Sequence, residues 1–291
     1  ESGDDTRRFA PPFLKDTDKK DTIESAYFTC ANRNKRSMTL DLNHPKGQVL
    51  AKRIIAECDV FTDNFKAGGL AKYGLDYDSL KNDFPHLVYC SITGFGHTGP
   101  YAKRPGYDVL IQAMGGFMSV TGDPNGEPQK AGIPVSDLIA GMYAGLAINA
   151  ALRHREMTGE GQFIDIGMLD TTAAILSIVG ANYLATGVIP ERIGNAHPNI
   201  VPYQSFPTAD GDIILAVGND GQFERFCNFA ECPELFTDKR FAKNADRVKN
   251  RETLIPILRK IISHKPSKFW LEGLEANNVS CGPINRLDQV F

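Results

Sequence analysis

Leu87-Val88-Tyr89-Cys90-Ser91-Ile92 is a short, largely apolar run rich in strand formers, and Val60-Phe61-Thr62 upstream is a second run of the same kind. Between them lie a Gly68-Gly69 turn and a short helical signal near Asp78-Ser79-Leu80. Strand, helix, strand at this spacing is a βαβ unit, and it predicts a parallel sheet in an α/β fold. Working outward, Asn43-His44-Pro45 opens a helix with Pro45 at the first helical position, where its missing N–H costs nothing. Val49, Leu50, Ile54 and Ile55 recur at helical spacing and mark the apolar face of that helix. Downstream, Leu138 to Leu152 is the most apolar stretch of the chain, interrupted only by Asn149 and dotted with Gly141, Ala144, Gly145 and Ala147. It is shorter than the roughly 20 residues that span a bilayer, so it reads as a core helix packed through its small residues, with Gly159 as its C-cap. Phe163-Ile164-Asp165-Ile166 predicts the next strand, and Leu169 to Leu184 another largely buried helix.

The chain has 291 residues and a mass of 31.9 kDa, which fits one large domain or two modest ones. Apolar residues make up 42% and charged residues 23%, which excludes disordered and collagen-like chains. Lys+Arg 32 against Asp+Glu 35 leaves a net charge of −3, and no basic field marks a nucleic-acid or membrane-surface protein. Composition shifts near Gly187–Pro202, where Pro190, Pro198 and Pro202 cluster with Gly187 and Gly194; a linker is expected there. Beyond it, Tyr203–Phe206 and Ile213–Val217 flank Asp210-Gly211 as a hairpin, followed by helices near 220–230, 251–263 and 266–277, the second kinked at Pro256. The expected division is therefore a large domain over 1–200 and a smaller α+β domain over 201–291.

Six scattered cysteines, without CxxC spacing, fit a reducing compartment and argue against a zinc site. The six histidines show no metal-ligand spacing, so no metal is expected. The start at Glu1-Ser2-Gly3-Asp4-Asp5, without an initiator Met, reads as that of an internal fragment or a processed chain. Gly94-Phe95-Gly96-His97-Thr98-Gly99 is a literal G-x-G-x-x-G after a strand, but Pro100 and Lys103-Arg104-Pro105-Gly106 follow where a dinucleotide fold needs a helix. These glycines read instead as a tight loop at the carboxyl end of a strand, with His97 and His197 as loop histidines. No GxSxG elbow or P-loop is present. Asp137, between Gly132-Ile133-Pro134-Val135-Ser136 and the long apolar helix, has two readings. It caps the helix, together with Ser136, or it is a nucleophile kept ionised by the positive end of the helix dipole.

Several segments, taken in order, resemble the family III CoA-transferases, which include formyl-CoA transferase and the alpha-methylacyl-CoA racemases. They are Asn32-Arg33-Asn34-Lys35-Arg36-Ser37 leading to Leu40, Asp63-Asn64-Phe65 with Gly74-Leu75, and Cys90-Ser91-Ile92-Thr93-Gly94-Phe95-Gly96. Pro105-Gly106-Tyr107-Asp108 with Gln112-Ala113, Ser136-Asp137-Leu138 and Thr158-Gly159-Glu160-Gly161-Gln162 continue the series. Within the family, Gly3-Asp4-Asp5-Thr6-Arg7, Ile200-Val201-Pro202-Tyr203-Gln204 and Gly282-Pro283-Ile284-Asn285 are similar to the succinyl-CoA–glutarate CoA-transferase branch.

The resemblance implies a Rossmann-like large domain with a smaller α+β domain, an interlocked homodimer, and Asp137 as the nucleophile. It implies transfer of CoA from an acyl-CoA to a free acid, here a small dicarboxylate, through an aspartyl-CoA intermediate. The acyl-CoA and the carboxylic acid are then the partners, CoA enters as a substrate thioester, and no permanently bound cofactor is needed. Asn64 and Phe65 are implied to line the CoA channel, with Leu40 against the adenine and Arg36 or Arg104 near the phosphates, since guanidinium forks suit phosphate. Tyr107 either packs against CoA or belongs to the core. The resemblance also places a strand and helix before Glu1. It leaves Gly194-Asn195-Ala196-His197 in place of the family's glycine-run lid, and it puts the protein in the mitochondrion of a eukaryote or the cytoplasm of a bacterium. The rivals are a 2-methylacyl-CoA racemase, an inactive acyl-CoA-binding protein and, more distantly, a nicotinamide oxidoreductase.

Overall fold

The structure is a computed structural model that describes residues 3–291; Glu1 and Ser2, part of the charged opening segment, lie outside the described residues. In chain order the elements are β1 (Phe13–Lys15), β2 (Asp21–Ser25), α1 (Ala26–Asn32), α2 (Pro45–Ile55), β3 (Val60–Asp63), α3 (Tyr77–Leu80) and β4 (Val88–Thr93). There follow α4 (Asp108–Met114), α5 (Val135–Thr158), β5 (Phe163–Gly167), α6 (Met168–Ala174) and α7 (Ser177–Thr186). The remainder is β6 (Tyr203–Pro207), β7 (Asp212–Ala216), α8 (Asp220–Phe229), α9 (Pro233–Thr237), α10 (Asn244–Lys249), α11 (Arg251–Ile262), α12 (Ser267–Ala276), β8 (Ser280–Pro283) and α13 (Leu287–Val290).

The chain divides into two compact units. One holds the described residues up to Thr93 with His97–Lys103 and Ala144–Ile166. Its sheet has the order β3-β4-β5, and β3 and β4 run parallel from Val60↔Val88 to Asp63↔Ser91, as the βαβ spacing predicts. Ala51, Ile55, Leu70, Leu75, Leu80, Leu87 and Tyr89 form its core. In α2, His44 is the N-cap, its Nδ1 accepting the Lys46 N–H at 3.1 Å. The face of α2 that packs is the row Gly47, Ala51, Ile55; Val49, Leu50 and Ile54 are exposed, contrary to expectation. At Gly47 the preceding Asp41–Leu42 backbone lies so close that a Cβ would overlap the Asp41 carbonyl, and Ala51 and Ile55 join the core, which turns the larger aliphatics outward.

The other unit holds Gly94–Gly96, Arg104–Tyr143 and Gly167–Phe291. Its antiparallel sheet β6-β7-β8 contains the expected hairpin, paired from Tyr203↔Ala216 to Pro207↔Asp212. One apolar core draws only on residues from Val201 to Cys281, including Phe206, Phe223, Phe226, Leu254, Leu258 and Trp270. At its edge Arg247 is fully buried: its Nε donates to Val201 O at 2.6 Å, Nη1 to Phe241 O at 2.9 Å and Nη2 to Asp220 Oδ1 at 3.0 Å. The Gly/Pro stretch expected to be a linker is clamped by side chains. Asn244 takes the Val201 N–H at 3.1 Å and donates to Asn199 O, while Arg251 donates to Pro198 O at 2.6 Å. The chain runs helically through Pro256 in α11.

Two helices depart from the sequence reading. α5 has 24 residues, beginning before the apolar run and ending beyond it, and by length and composition alone it could cross a membrane. Ser136, Ala140, Ala144 and Ala151 are buried, but Leu138, Met142 and Leu146 are 51%, 64% and 70% exposed, so it is not a fully buried helix. The apolar stretch from Leu169 to Leu184 is two helices, α6 and α7, bent by 77° at a break where Ser177 adopts φ 48°. None of the residues of α7 is buried.

Candidate active site

The nucleophile candidate lies where α4, α5 and α6 meet. α5 begins at Val135, so Asp137 sits inside its first turn and neither it nor Ser136 is the residue before the helix. The capping comes from another helix. Asp108, in the first turn of α4, accepts the Ser136 N–H at 2.9 Å and the Asp137 N–H at 3.4 Å, both on Oδ1. Its Oδ2 accepts from Gln112 Nε2 at 2.6 Å, one helical turn on, and Gln112 Oε1 accepts the Ala131 N–H at 2.8 Å. The Ser136 hydroxyl, buried, accepts from Thr172 Oγ1 of α6 at 2.8 Å.

This arrangement frees the Asp137 carboxylate, which makes no side-chain hydrogen bond or ion pair with any described residue. The residue is open to solvent, yet partial desolvation, then the like charge of Asp108, raises its pKa above the ordinary carboxylate value. Burial and the Asp108 charge thus work against the ionisation that the helix dipole favours. The helix end is already occupied by the Asp108 carboxylate, which takes up the positive pole and adds a negative charge beside Asp137. As with other nucleophiles, higher basicity goes with higher intrinsic reactivity of the anion. In the sequence Asp108 and Gln112 stand within the family-like segments, and their spacing of four on one helix is the signal that pairs them.

Tyr107, directly before α4, is 74% exposed, so core packing is excluded and its ring is available at the surface. Arg104 lies with its guanidinium 5.6 Å over the Phe95 ring. The glycines of the G-x-G-x-x-G run serve a close crossing: a Cβ on Gly94 would lie 2.6 Å from the Gly106 Cα, so no side chain fits. No helix follows Gly99, in keeping with the loop reading.

Leu40, Asn64 and Phe65, which belong to the other unit, come together. They line an apolar cleft of about 420 Å³ with Met38, Ile54 and Phe61. Asp63, 8% exposed, accepts the Phe65 N–H at 2.9 Å, and Asn64 Nδ2 donates to Ile92 O at 2.6 Å. The amide nitrogen of Asn64 is thus spent on β4, leaving its oxygen and the half-exposed Phe65 ring toward the cleft. An adjoining cleft of about 720 Å³ shares Met38, Leu40 and Ile54 and adds Arg53. Arg36 is exposed and lines neither cleft, and Arg53, on the outward side of α2, lines the second.

His97 is held by the Asp165 carboxylate on its backbone N–H and by Ser91 Oγ at Nε2, each at 2.8 Å. His197 accepts the Asn199 N–H at 3.1 Å, and desolvation, then Arg251, lowers its pKa. Among the described residues no group of three or more His, Cys, Asp or Glu is placed to hold a metal ion, and the six cysteines are free thiols.

A model of the family described as CoA-transferase family III matches residues 1–291. The chain belongs to CoA-transferase family III. It is 49% identical over 295 residues to the succinate–glutarate CoA-transferase of Agrobacterium fabrum, covering 100% of this chain and 72% of the relative. To the succinyl-CoA:glutarate CoA-transferase of Homo sapiens it is 41% identical over 290 residues, with 100% and 65% covered. A crystal structure of a CAIB/BAIF family protein from Brucella suis superposes with a TM-score of 0.83 at 48% identity, covering 99% of this chain and 76% of that one. The chain thus spans between about two thirds and three quarters of the length of these relatives.

Proposed function

We propose that this chain carries the nucleophile of a transferase that moves CoA from an acyl-CoA to a small dicarboxylic acid. The observation that carries it is the Asp137 carboxylate: unpartnered, solvent-accessible and relieved of capping by Asp108. Its place in a family III chain 49% identical to a succinate–glutarate CoA-transferase supports the choice of acids.

In the first step Asp137 attacks the thioester carbonyl; the acyl–sulfur bond breaks, CoA thiolate leaves and a mixed anhydride forms. The thiolate then attacks the Asp137 carbonyl, releasing the donor acid and leaving an aspartyl-CoA thioester. The acceptor carboxylate attacks this thioester, and the thiolate returns to the acceptor's acyl carbon, regenerating Asp137. A carboxylate suits the task because the anhydride stays as activated as the thioester, whereas a serine would store the acyl group in a low-energy ester. Electrons and protons balance without a redox group or metal ion. On the same reading Leu40 and Phe65 face the adenosine part of CoA, with Arg53 toward its phosphates. The assembly is a homodimer, which the exposed apolar residues of α5 support.

The test is hydroxylamine trapping with the full-length protein and succinyl-CoA: a hydroxamate is expected at Asp137, and Asp137→Ala should transfer no CoA to glutarate. Wild-type turnover in that variant would defeat the proposal. A deuterium arm separates the racemase. Removing a proton beside the thioester and returning one to the opposite face needs an acid–base group on each side of that carbon, and Gly106-Tyr107-Asp108 places a phenol where the racemase reading needs an imidazole. No exchange of the alpha proton of a 2-methylacyl-CoA is expected in deuterated water without an acceptor acid.

A further inference from the structure

We infer that Asp108 is a positioning residue for the nucleophile, fixing from α4 the first turn of α5 and so the point from which Asp137 attacks. The inference rests on the reading of Asp137 as nucleophile and deepens it.

A helix start leaves several N–H groups without intrahelical partners, and a side chain of the preceding residue usually satisfies one of them. Here the acceptor comes from 28 residues upstream, on a different helix. Asp108 is itself held: its second oxygen takes the Gln112 amide, and that buried amide's oxygen takes the Ala131 N–H of the loop leading into α5. On the far side the buried Ser136 hydroxyl is tied to Thr172 of α6. α4 and α6 are in turn packed so closely that a Cβ on Gly115 would lie 2.8 Å from Thr172 Cγ2. Asp137 is therefore flanked by a residue whose backbone and side chain are both fixed, while its own carboxylate stays unengaged.

Such an arrangement does two things for an attacking carboxylate. It sets the backbone from which the side chain projects, and displacement of a reacting group by about 1 Å costs on the order of 100-fold in rate. It also places a fixed negative charge beside Asp137, which makes the anion more basic. The charged groups on the neighbouring elements are Asp108 on α4, Lys130 in the 128–134 loop, whose ammonium donates to Ala131 O at 3.0 Å, and Asp170 on α6. Of these, Asp108 is the one whose charge acts on the Asp137 carboxyl. An asparagine at 108 keeps one oxygen for the α5 N–H groups and loses the charge together with the acceptor for the Gln112 amide, so the helix cap is retained while the charge is removed.

The experiment compares the full-length wild type with Asp108→Ala and Asp108→Asn, using succinyl-CoA as donor. Three quantities are read: the rate of hydroxamate formation at Asp137, the KM for succinyl-CoA, and the acid limb of the rate against pH. Asp108→Ala is expected to lose about 100-fold in trapping rate with KM essentially unchanged. Asp108→Asn should recover most of that loss, with its acid limb moved to lower pH. Wild-type trapping in Asp108→Ala, or an acid limb that stays in place in Asp108→Asn, overturns the inference. If the alanine variant fails to fold, the acid limb of the asparagine variant decides alone. Absence of trapping in the wild type would instead defeat the nucleophile reading.

Discussion

Two carboxylates share one helix end at Asp108 and Asp137, and the arrangement has a thermodynamic signature. Desolvation and then the Asp108 charge raise the folded-state pKa of Asp137 above its ordinary value, so the folded protein holds that proton more tightly than the unfolded chain does. The ionised group therefore opposes folding above its folded pKa, and this penalty is relieved as pH falls through that pKa toward the unfolded one. Asp137→Asn, nearly isosteric and uncharged, is expected to melt at a higher temperature than wild type at neutral pH. The advantage should disappear once pH drops below the ordinary carboxylate range. Thermal melts at the two pH values check this, and equal melting temperatures at neutral pH would remove the argument. Gain of stability with loss of turnover is the usual mark of a residue kept for chemistry. In the sequence the junction position of Asp137 leaves the cap and nucleophile readings both open, and the family resemblance alone favours the second. Its pKa direction was not legible there, because Asp108 is distant in sequence and only the fold reveals that it caps α5.

At the scale of elements, β3 to β7 match the expected strands, β1 and β2 were not expected, and the helices match unevenly, for a physical reason. β3, β4, β6 and β7 carry short apolar runs bounded by turn residues, which have few alternative uses. α2, α5 and α7 are apolar on faces that this chain does not bury, so hydrophobicity predicted burial where it marks exposed surface. The break between α6 and α7 has neither Gly nor Pro to announce it. α9, α10 and β8 were missed because they are short and their packing comes from distant residues. Arg247 in α10 is the clearest case: nothing in Asn244–Lys249 foretells a buried guanidinium 4.4 Å over the Phe223 ring. Burial works against the Asp220 anion, but its hydrogen bond and charge pairing with Arg247 bring its pKa below the ordinary value. The guanidinium also ties Val201 to the antiparallel sheet's core. Truncation leaves the Val201 and Phe241 carbonyls without their donor, while Asp220, a third exposed, keeps Lys243 at 3.4 Å. At about 1–3 kcal/mol for each lost partner, Arg247→Ala should cost about 2–6 kcal/mol, read from denaturant unfolding. Arg247→Lys should recover little, since an ammonium lacks the fork that serves Val201, Phe241 and Asp220 together. A loss below about 1 kcal/mol, the scale of a surface pair, would show that this network is dispensable.

For the whole molecule, the unexplained surface is α5. Leu138, Met142 and Leu146 follow one another at intervals of four, placing them along one stripe of a 24-residue helix, and all three are exposed. Soluble monomers seldom leave a contiguous apolar stripe without a cover. The proposed homodimer is one such cover, and it agrees with the family resemblance read from the sequence. A stable interface of this kind buries on the order of 1,600 Å² in total, with a few well-packed side chains near its centre carrying most of the energy. Leu146 is 70% exposed, so a charge there disturbs none of this chain's own packing. The full-length wild type is expected to sediment at twice its chain mass, and Leu146→Arg at or near the single mass with an unchanged circular-dichroism spectrum. If the wild type sediments as a monomer, or enters solution only with detergent, the stripe is covered by other means. The detergent result would favour a bilayer, since α5 also has the length and composition to cross one.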